Sequence, residues 1–82
     1  MARIIDYEAQ NIVGEKVKKF REGRKLSQKD LSERLETQAI YICRGSISRI
    51  ETHERTVTDF ELRAMARILS VSIEELFEEV PV

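Results

Sequence analysis

The segment 27–51, SQKDLSERLETQAIYICRGSISRIE, limits the possible fold more than any other part of the chain. It begins with a serine, whose hydroxyl can accept hydrogen bonds from the free backbone N–H groups of a helix that follows it. Two leucines four residues apart, Leu31 and Leu35, supply an apolar face for that helix. The pattern therefore predicts a short second helix over about residues 27–35.

The end of the same segment predicts a further helix over about residues 44–51. Only Ile47 and Ile50 are large and apolar there, and their spacing puts them on one helical face that can anchor the helix to a core. The other positions are short polar residues and two arginines. The outer face is therefore narrow, cationic and rich in hydrogen-bonding groups, which suits a DNA groove.

These residues resemble those of the lambda-repressor-like helix-turn-helix regulators of the Cro/CI, Xre type. The resemblance covers roughly residues 12–77 and implies an all-α, five-helix DNA-binding domain that exposes its third helix. One feature departs from the family, because the connection Glu36–Cys43 is about five residues longer than the common tight turn. The matching motifs are Leu26-Ser27-Gln28, Leu31, Leu35, Ser46-Ile47-Ser48-Arg49-Ile50-Glu51, Leu69-Ser70-Val71-Ser72 and Leu76-Phe77.

The chain is predicted to have two parts. Residues 1–10 form an N-terminal arm that is too apolar for a purely solvated tail, because it contains Ile4, Ile5 and Tyr7. The arm is expected to pack either on the domain or on a second subunit. Residues 11–80 form the helix-turn-helix domain.

Three further helices complete the predicted domain. The first runs over about residues 11–22 and is ended by Gly23. The fourth and fifth begin with capping boxes at Thr58 and Ser72, and Pro81 is expected to stop the fifth. The apolar faces of these helices comprise Val13, Val17 and Phe20, then Leu62, Met65, Ala66 and Leu69, and finally Ile73, Leu76, Phe77 and Val80.

The resemblance also implies which residues of the third helix contact DNA. Ser46 is expected to contact a phosphate or a base. Arginines at positions 44 and 49 can each donate two hydrogen bonds to the O6 and N7 of guanine, whereas a glycine at 45 can only permit close approach. A serine at 48 both donates and accepts, so it discriminates poorly. The expected base-edge group is Arg44, Gly45, Ser48 and Arg49.

Phosphate contacts are expected outside the third helix. Gln28 and the free backbone N–H groups at the start of the second helix can clamp a phosphate, with Lys29 assisting. The alternative for Gln28 is an ordinary N-terminal helix residue. Arg55, in the polar loop after the third helix, is a further candidate for phosphate contact.

A structural ion pair is implied between Arg21 and Glu51, and it would tie the first helix to the end of the third. A planar guanidinium suits a bidentate, partly buried carboxylate.

At least one isoleucine of the long connection is expected to be buried and to close the gap between the helices that the connection joins. Cys43 either is a small buried apolar residue or is a redox-sensing thiolate stabilised by the helix N-terminus. No metal site is expected at His53, which has no His or Cys at metal spacing.

The net charge of −1 hides an asymmetry along the chain. Residues 1–55 contain twelve Lys and Arg against nine Asp and Glu, a balance of +3, and residues 56–82 contain two against six, a balance of −4. Because surface potentials decay within about 10 Å, a basic first part can bind DNA despite an acidic tail. The acidic cluster is either a solubilising face or a surface toward a partner, and it comprises Glu74, Glu75, Glu78 and Glu79.

The leading hypothesis is a sequence-specific DNA-binding transcriptional regulator, a repressor that acts without a cofactor. The resemblance implies a homodimer on a two-fold symmetric operator. The alternative is an antitoxin-like module whose main partner is another protein. An enzyme is not expected, because the chain has no G-x-S-x-G, phosphate-cradling glycine loop or metal-ligand cluster. With one cysteine and neither a signal peptide nor a membrane span, a cytoplasmic protein is expected.

Overall fold

The computed structural model describes residues 9–78, which contain five helices and no strand. The predicted all-α, five-helix fold is confirmed. The predictions for Ile4, Ile5, Tyr7, Glu79, Val80 and Pro81 lie outside the described residues. The helices are α1 at Gly14–Gly23, α2 at Gln28–Glu36, α3 at Arg44–Glu51, α4 at Asp59–Leu69 and α5 at Ile73–Phe77.

One apolar core lies between these helices. α3 packs on α1 and α2, while α4 packs on α1, α2 and α5. Full burial of a Leu, Ile or Met side chain stabilises a fold by roughly 1.5–3 kcal/mol. α3 contributes Ile47 and Ile50, both fully buried, so the two isoleucines anchor it as their spacing predicts. The other fully buried large side chains are Val17, Leu31, Leu35, Met65, Leu69 and Leu76.

The long α2–α3 connection is fixed to this core. Ile42 is buried and Ile40 is half-buried, which confirms that an isoleucine closes the gap between the helices. The Ser32 hydroxyl, on α2, donates a hydrogen bond of 2.6 Å to the carbonyl of Ile42. The connection therefore holds the start of α3 at a defined place beside α2.

The first helix differs from its prediction at both ends. Asn11 was expected within it, but α1 begins at Gly14, and Asn11 Oδ1 accepts a hydrogen bond of 2.8 Å from Gly14 N. Asn11 therefore caps the helix from outside. Gly23 is the last helical residue, yet Lys25 is the residue that takes the left-handed conformation and turns the chain, with a φ of 58°.

The same hydrogen-bonded turn, the Schellman motif, ends α1, α2, α3 and α4. In each case the left-handed residue donates its N–H to the carbonyl three positions earlier, and the next residue donates to the carbonyl five positions earlier. A left-handed conformation costs a residue with a Cβ about 1–2 kcal/mol. None of the four is glycine, since the residues are Lys25, Ala39, His53 and Ser70.

The starts of α4 and α5 follow the sequence pattern, whereas the end of α5 does not. The capping boxes at Thr58 and Ser72 are confirmed. α5 is only five residues long and ends at Phe77, after which Glu78 takes an extended conformation. The role expected of Pro81 lies outside the described residues. Of the residues predicted for its apolar side, Leu76 is fully buried, whereas Ile73 and Phe77 are 38% and 45% exposed.

Glu61 is expected to link stability to pH. Its carboxylate accepts hydrogen bonds of 3.0 Å from both terminal nitrogens of Arg55, and these bonds hold the pKa of Glu61 below its ordinary value of about 4.5. Between the folded and unfolded pKa values the unfolded chain binds more protons. The contribution is therefore complete above about pH 4.5 and is lost as the pH falls through the folded pKa.

The free energy of unfolding of the native protein should therefore fall between pH 7 and pH 3. We expect the fall to be about 1 kcal/mol smaller in Glu61→Gln, which has no carboxylate at this position. Urea denaturation at both pH values measures this difference. Glu33→Gln, at an exposed position on α2, is the matched control and should lose as much as the native protein. Equal losses in the Glu61 and Glu33 variants would contradict the prediction.

Candidate nucleic-acid interface

α3 has one buried side and one side that faces solvent. Ile47, Ile50 and Glu51 form the buried side. The first turn contains no acidic residue, so the solvent side is cationic and polar. We call this solvent side the α3 face, and it consists of the exposed residues Arg44, Gly45 and Arg49 with the half-buried residues Ser46 and Ser48. The structure thus brings together the five α3 residues to which the sequence assigns DNA contact.

Ser46 links the side chains at the start of this face. Arg49 Nη2 lies 3.3 Å from the Ser46 hydroxyl oxygen and donates to it, and the sulfur of Cys43 lies 3.4 Å from the same oxygen. Cys43 is exposed, so the prediction of a buried apolar residue is wrong: the residue is the N-cap of α3, and its neighbour Ile42 is the one that enters the core. Hydrogen bonding between the Cys43 sulfur and the Ser46 hydroxyl lowers the pKa of the Cys43 thiol.

Arg21 and Glu51 form a buried ion pair that joins α1 to α3. Arg21 Nε donates to Glu51 Oε2 at 2.7 Å, and Arg21 Nη2 donates to Glu51 Oε1 at 3.1 Å. Arg21 Nη1 also donates to the carbonyl of Leu26 at 2.7 Å, just before α2 begins. The side chains of the pair are only 9% and 2% exposed. The hydrogen bond to Glu51 raises the pKa of Arg21.

Gln28 takes part in this network and is half-buried. Its side-chain nitrogen Nε2 donates to Glu51 Oε1 at 3.0 Å, so it ties the start of α2 to the end of α3. Its amide is therefore engaged with a carboxylate of the protein, where the sequence suggested a phosphate clamp. Lys29 is exposed, and its Nζ lies 3.9 Å from Glu33 Oε2.

Arg55 also has a protein partner where the sequence suggested a phosphate. Its two terminal nitrogens donate to the two carboxylate oxygens of Glu61, and Nη1 donates to the carbonyl of Thr56 at 2.9 Å. The side chain is 28% exposed. Arg55 therefore fastens the loop after α3 to the first turn of α4.

Asn11 supports the position of α3, and the sequence pattern does not single it out for this role. Its Nδ2 donates to the carbonyl of Ile50 at 3.0 Å and to the carbonyl of Arg55 at 2.7 Å. Its capping bond to Gly14 adds a third contact. An asparagine before a helix is a recognisable cap signal, but the two carbonyls are distant in sequence. Asn11 holds the end of α3 against the start of α1.

The three glycines have different surroundings. A Cβ on Gly14 would lie 2.1 Å from the carbonyl oxygen of Ile50, so α1 and α3 approach each other there too closely for any side chain. A Cβ on Gly23 or Gly45 would meet nothing within 4 Å. The absence of a side chain at Gly45 therefore leaves open space on the α3 face.

His53 contacts residues at the start of α1. Its Nδ1 lies 3.0 Å from the carbonyl oxygen of Asn11, and its Nε2 lies 3.4 Å from a carboxylate oxygen of Glu15.

Across residues 9–78, no group of three or more His, Cys, Asp or Glu is placed to hold a metal ion. The helices of this part of the chain are all too short or too polar to cross a membrane.

Comparison with known proteins gives one family and one similar fold. The helix-turn-helix family matches residues 17–76. The crystal structure of the DNA-binding domain of BldD superposes with a TM-score of 0.68 at 24% sequence identity, covering 88% of this chain and 97% of that one. At this identity the likeness concerns the fold alone. No curated protein matches the sequence.

Proposed function

This chain belongs to the helix-turn-helix family, which supports a DNA-binding transcription regulator, and we propose that it is a repressor that reads the major groove with α3. The observation that supports the proposal is the α3 face, which is cationic and has no acidic residue in its first turn. Two buried isoleucines on the opposite side of α3 anchor the helix to the core. An α-helix fits the major groove, which is roughly 12 Å wide. The groove would receive the N-terminal end of α3.

Within the α3 face we assign base reading to the arginines. Arg44 and Arg49 are exposed, and each can form a bidentate pair with guanine worth about 1–3 kcal/mol of discrimination. Arg49 would exchange its hydrogen bond to Ser46 for one to a base, which frees the Ser46 hydroxyl for a phosphate or a base. Gly45 would allow close approach, and Ser48 would add a contact of low specificity.

Phosphate contacts would fix the register of the domain on the duplex. Lys29 is the strongest candidate outside α3, because it is exposed beside the N-terminal end of α2. Gln28 and Arg55 would have to give up their bonds to Glu51 and Glu61 to reach a phosphate. We therefore assign these two residues chiefly to holding α2 and the loop after α3 in position.

A single small domain makes few base contacts, so we propose a homodimer on a two-fold symmetric site. The recognition helices of such a dimer lie about 34 Å apart, one turn of the duplex. Ile73 and Phe77, which are 38% and 45% exposed on α5, would supply apolar surface for pairing. We further propose that the protein acts in the cytoplasm without a cofactor. The same apolar surface would serve the alternative, an antitoxin-like contact with another protein.

The proposal is tested by selecting bound sequences from a randomised duplex pool and measuring affinity by fluorescence anisotropy. We expect the native protein to enrich a palindrome. Arg49→Ala should bind that palindrome about tenfold to a hundredfold more weakly and lose preference at a guanine position. Arg67→Ala removes the same charge from an exposed position on α4 and should bind like the native protein.

The salt dependence of binding separates the two candidate functions. Loss of one phosphate-neutralising cation reduces the magnitude of the slope of log affinity against log salt by about one, whereas loss of a base-reading arginine relaxes the sequence preference. If the native protein shows only weak, sequence-blind binding that vanishes by about 200 mM salt, the repressor proposal fails. The protein-partner alternative would then be preferred.

A further inference from the structure

The α2–α3 connection holds one large side chain in solvent. Tyr41 is 76% exposed, although Ile40 before it is half-buried and Ile42 after it is 3% exposed. An aromatic ring in such a position is not needed for the core. It is therefore available for contact with another molecule.

The backbone on both sides of Tyr41 is fixed. Ile40 N donates to the carbonyl of Leu35 at 3.1 Å, as part of the Schellman turn at the end of α2. The carbonyl of Ile42 accepts the bond from Ser32. A side chain presented from a fixed backbone loses less conformational entropy on binding than one from a mobile loop.

Tyr41 lies next to the α3 face. Together with Cys43 and Ser46 it lines one shallow depression between α2 and the first turn of α3. A duplex that contacts the first turn of α3 therefore comes close to Tyr41. Glu36 lines the same depression, and its negative charge would keep a phosphate from entering it. A phosphate would therefore lie outside the depression, on the solvent side, to which most of the Tyr41 side chain is exposed.

We propose that Tyr41 is a further DNA contact, whose phenolic O–H donates a hydrogen bond to a phosphate oxygen beside the base pairs that α3 reads. The inference rests on the proposed function and deepens it, since it makes the lengthened connection a second DNA-contacting element. Tyrosine hydroxyls are among the groups that bind phosphate oxygens in protein–DNA complexes. Because the phenol is neutral, the contact fixes register and adds nothing to counterion release.

The test uses the palindrome that the native protein selects, in two measurements. Fluorescence anisotropy gives the affinity of native protein, Tyr41→Phe, Tyr41→Ala and Phe60→Ala at several salt concentrations. Phe60 is 65% exposed on α4, so Phe60→Ala is the control for loss of an exposed aromatic ring. Ethylation of single phosphates in the palindrome then identifies which phosphates each protein requires.

We expect Tyr41→Phe and Tyr41→Ala to bind about tenfold more weakly than native protein, with an unchanged salt slope. Phe60→Ala should bind like native protein. One phosphate whose ethylation weakens the native protein should have no effect on Tyr41→Phe. Circular dichroism should show that every variant is as helical as the native protein, because both rings are exposed.

Two results would overturn the inference while leaving the proposed function intact. The first is a native protein that selects a palindrome which Tyr41→Ala binds equally well, with the same set of required phosphates. The second is weak binding by Tyr41→Ala and native-like binding by Tyr41→Phe, which would assign the contact to the ring instead of the hydroxyl. A native protein that selects no site would overturn both the proposed function and the inference.

Discussion

Arg21→Ala is expected to lower the free energy of unfolding by about 3–5 kcal/mol, because it leaves a buried carboxylate without its charged partner. Glu51 is 6% exposed and would keep only the neutral hydrogen bond from Gln28. The carbonyl of Leu26 would lose its donor as well. Urea denaturation at pH 7 measures the change.

Two comparisons establish that this loss comes from the buried charge. Arg67→Ala removes an exposed arginine and should change the free energy of unfolding by less than about 0.5 kcal/mol. The double variant Arg21→Leu with Glu51→Leu removes both charges and should be more stable than Arg21→Ala alone. If the midpoint urea concentration of unfolding is the same for Arg21→Ala and for the native protein, the ion pair does not stabilise the fold.

Gly14→Ala is expected to destabilise the domain by about 3 kcal/mol, although alanine is the better helix former. The new Cβ would lie 2.1 Å from a backbone oxygen of Ile50 and 3.1 Å from Asn11 Oδ1. A backbone oxygen in a packed helix cannot move aside locally. α1 would have to shift away from α3, and the hydrogen bonds of Asn11 would be strained with it.

Gly23→Ala is the matched control for this effect, because it introduces the same methyl group into the same helix in open space. It should raise the free energy of unfolding by up to about 1 kcal/mol through helix propensity. Thermal unfolding followed by circular dichroism should therefore show shifts of opposite sign in the two variants. Shifts of the same sign and size would mean that α1 and α3 are not in close contact at Gly14.

The features that sequence predicts well here are those specified within one or two helical turns. The spacing of Ile47 and Ile50 sets the buried side of α3. Thr58 and Ser72 cap helices through glutamates only three residues away. For the same reason, the all-α fold follows from local patterns together with the resemblance to a family.

The features that sequence does not predict depend on distant partners. Asn11 binds carbonyls that lie 39 and 44 residues further along the chain, so its role as an external cap cannot be distinguished from a helical start. Gln28 meets Glu51 across 23 residues. Arg55 is closer to its partner, but an arginine in a polar loop after α3 equally suits a phosphate when only the sequence is known. In these cases the polar side chain has two plausible partners, and only the packing decides between them.

The four left-handed, non-glycine residues of the Schellman turns have a consequence for how this domain can evolve. Each left-handed residue costs about 1–2 kcal/mol, while a whole small domain is typically stable by only 5–15 kcal/mol. A glycine at Lys25, Ala39 or Ser70 would remove most of this strain without altering a residue of the α3 face, whereas a glycine at His53 would also lose the contacts of its ring with Asn11 and Glu15. The chain thus has several independent mutational routes that would offset destabilising changes acquired elsewhere, including in α3.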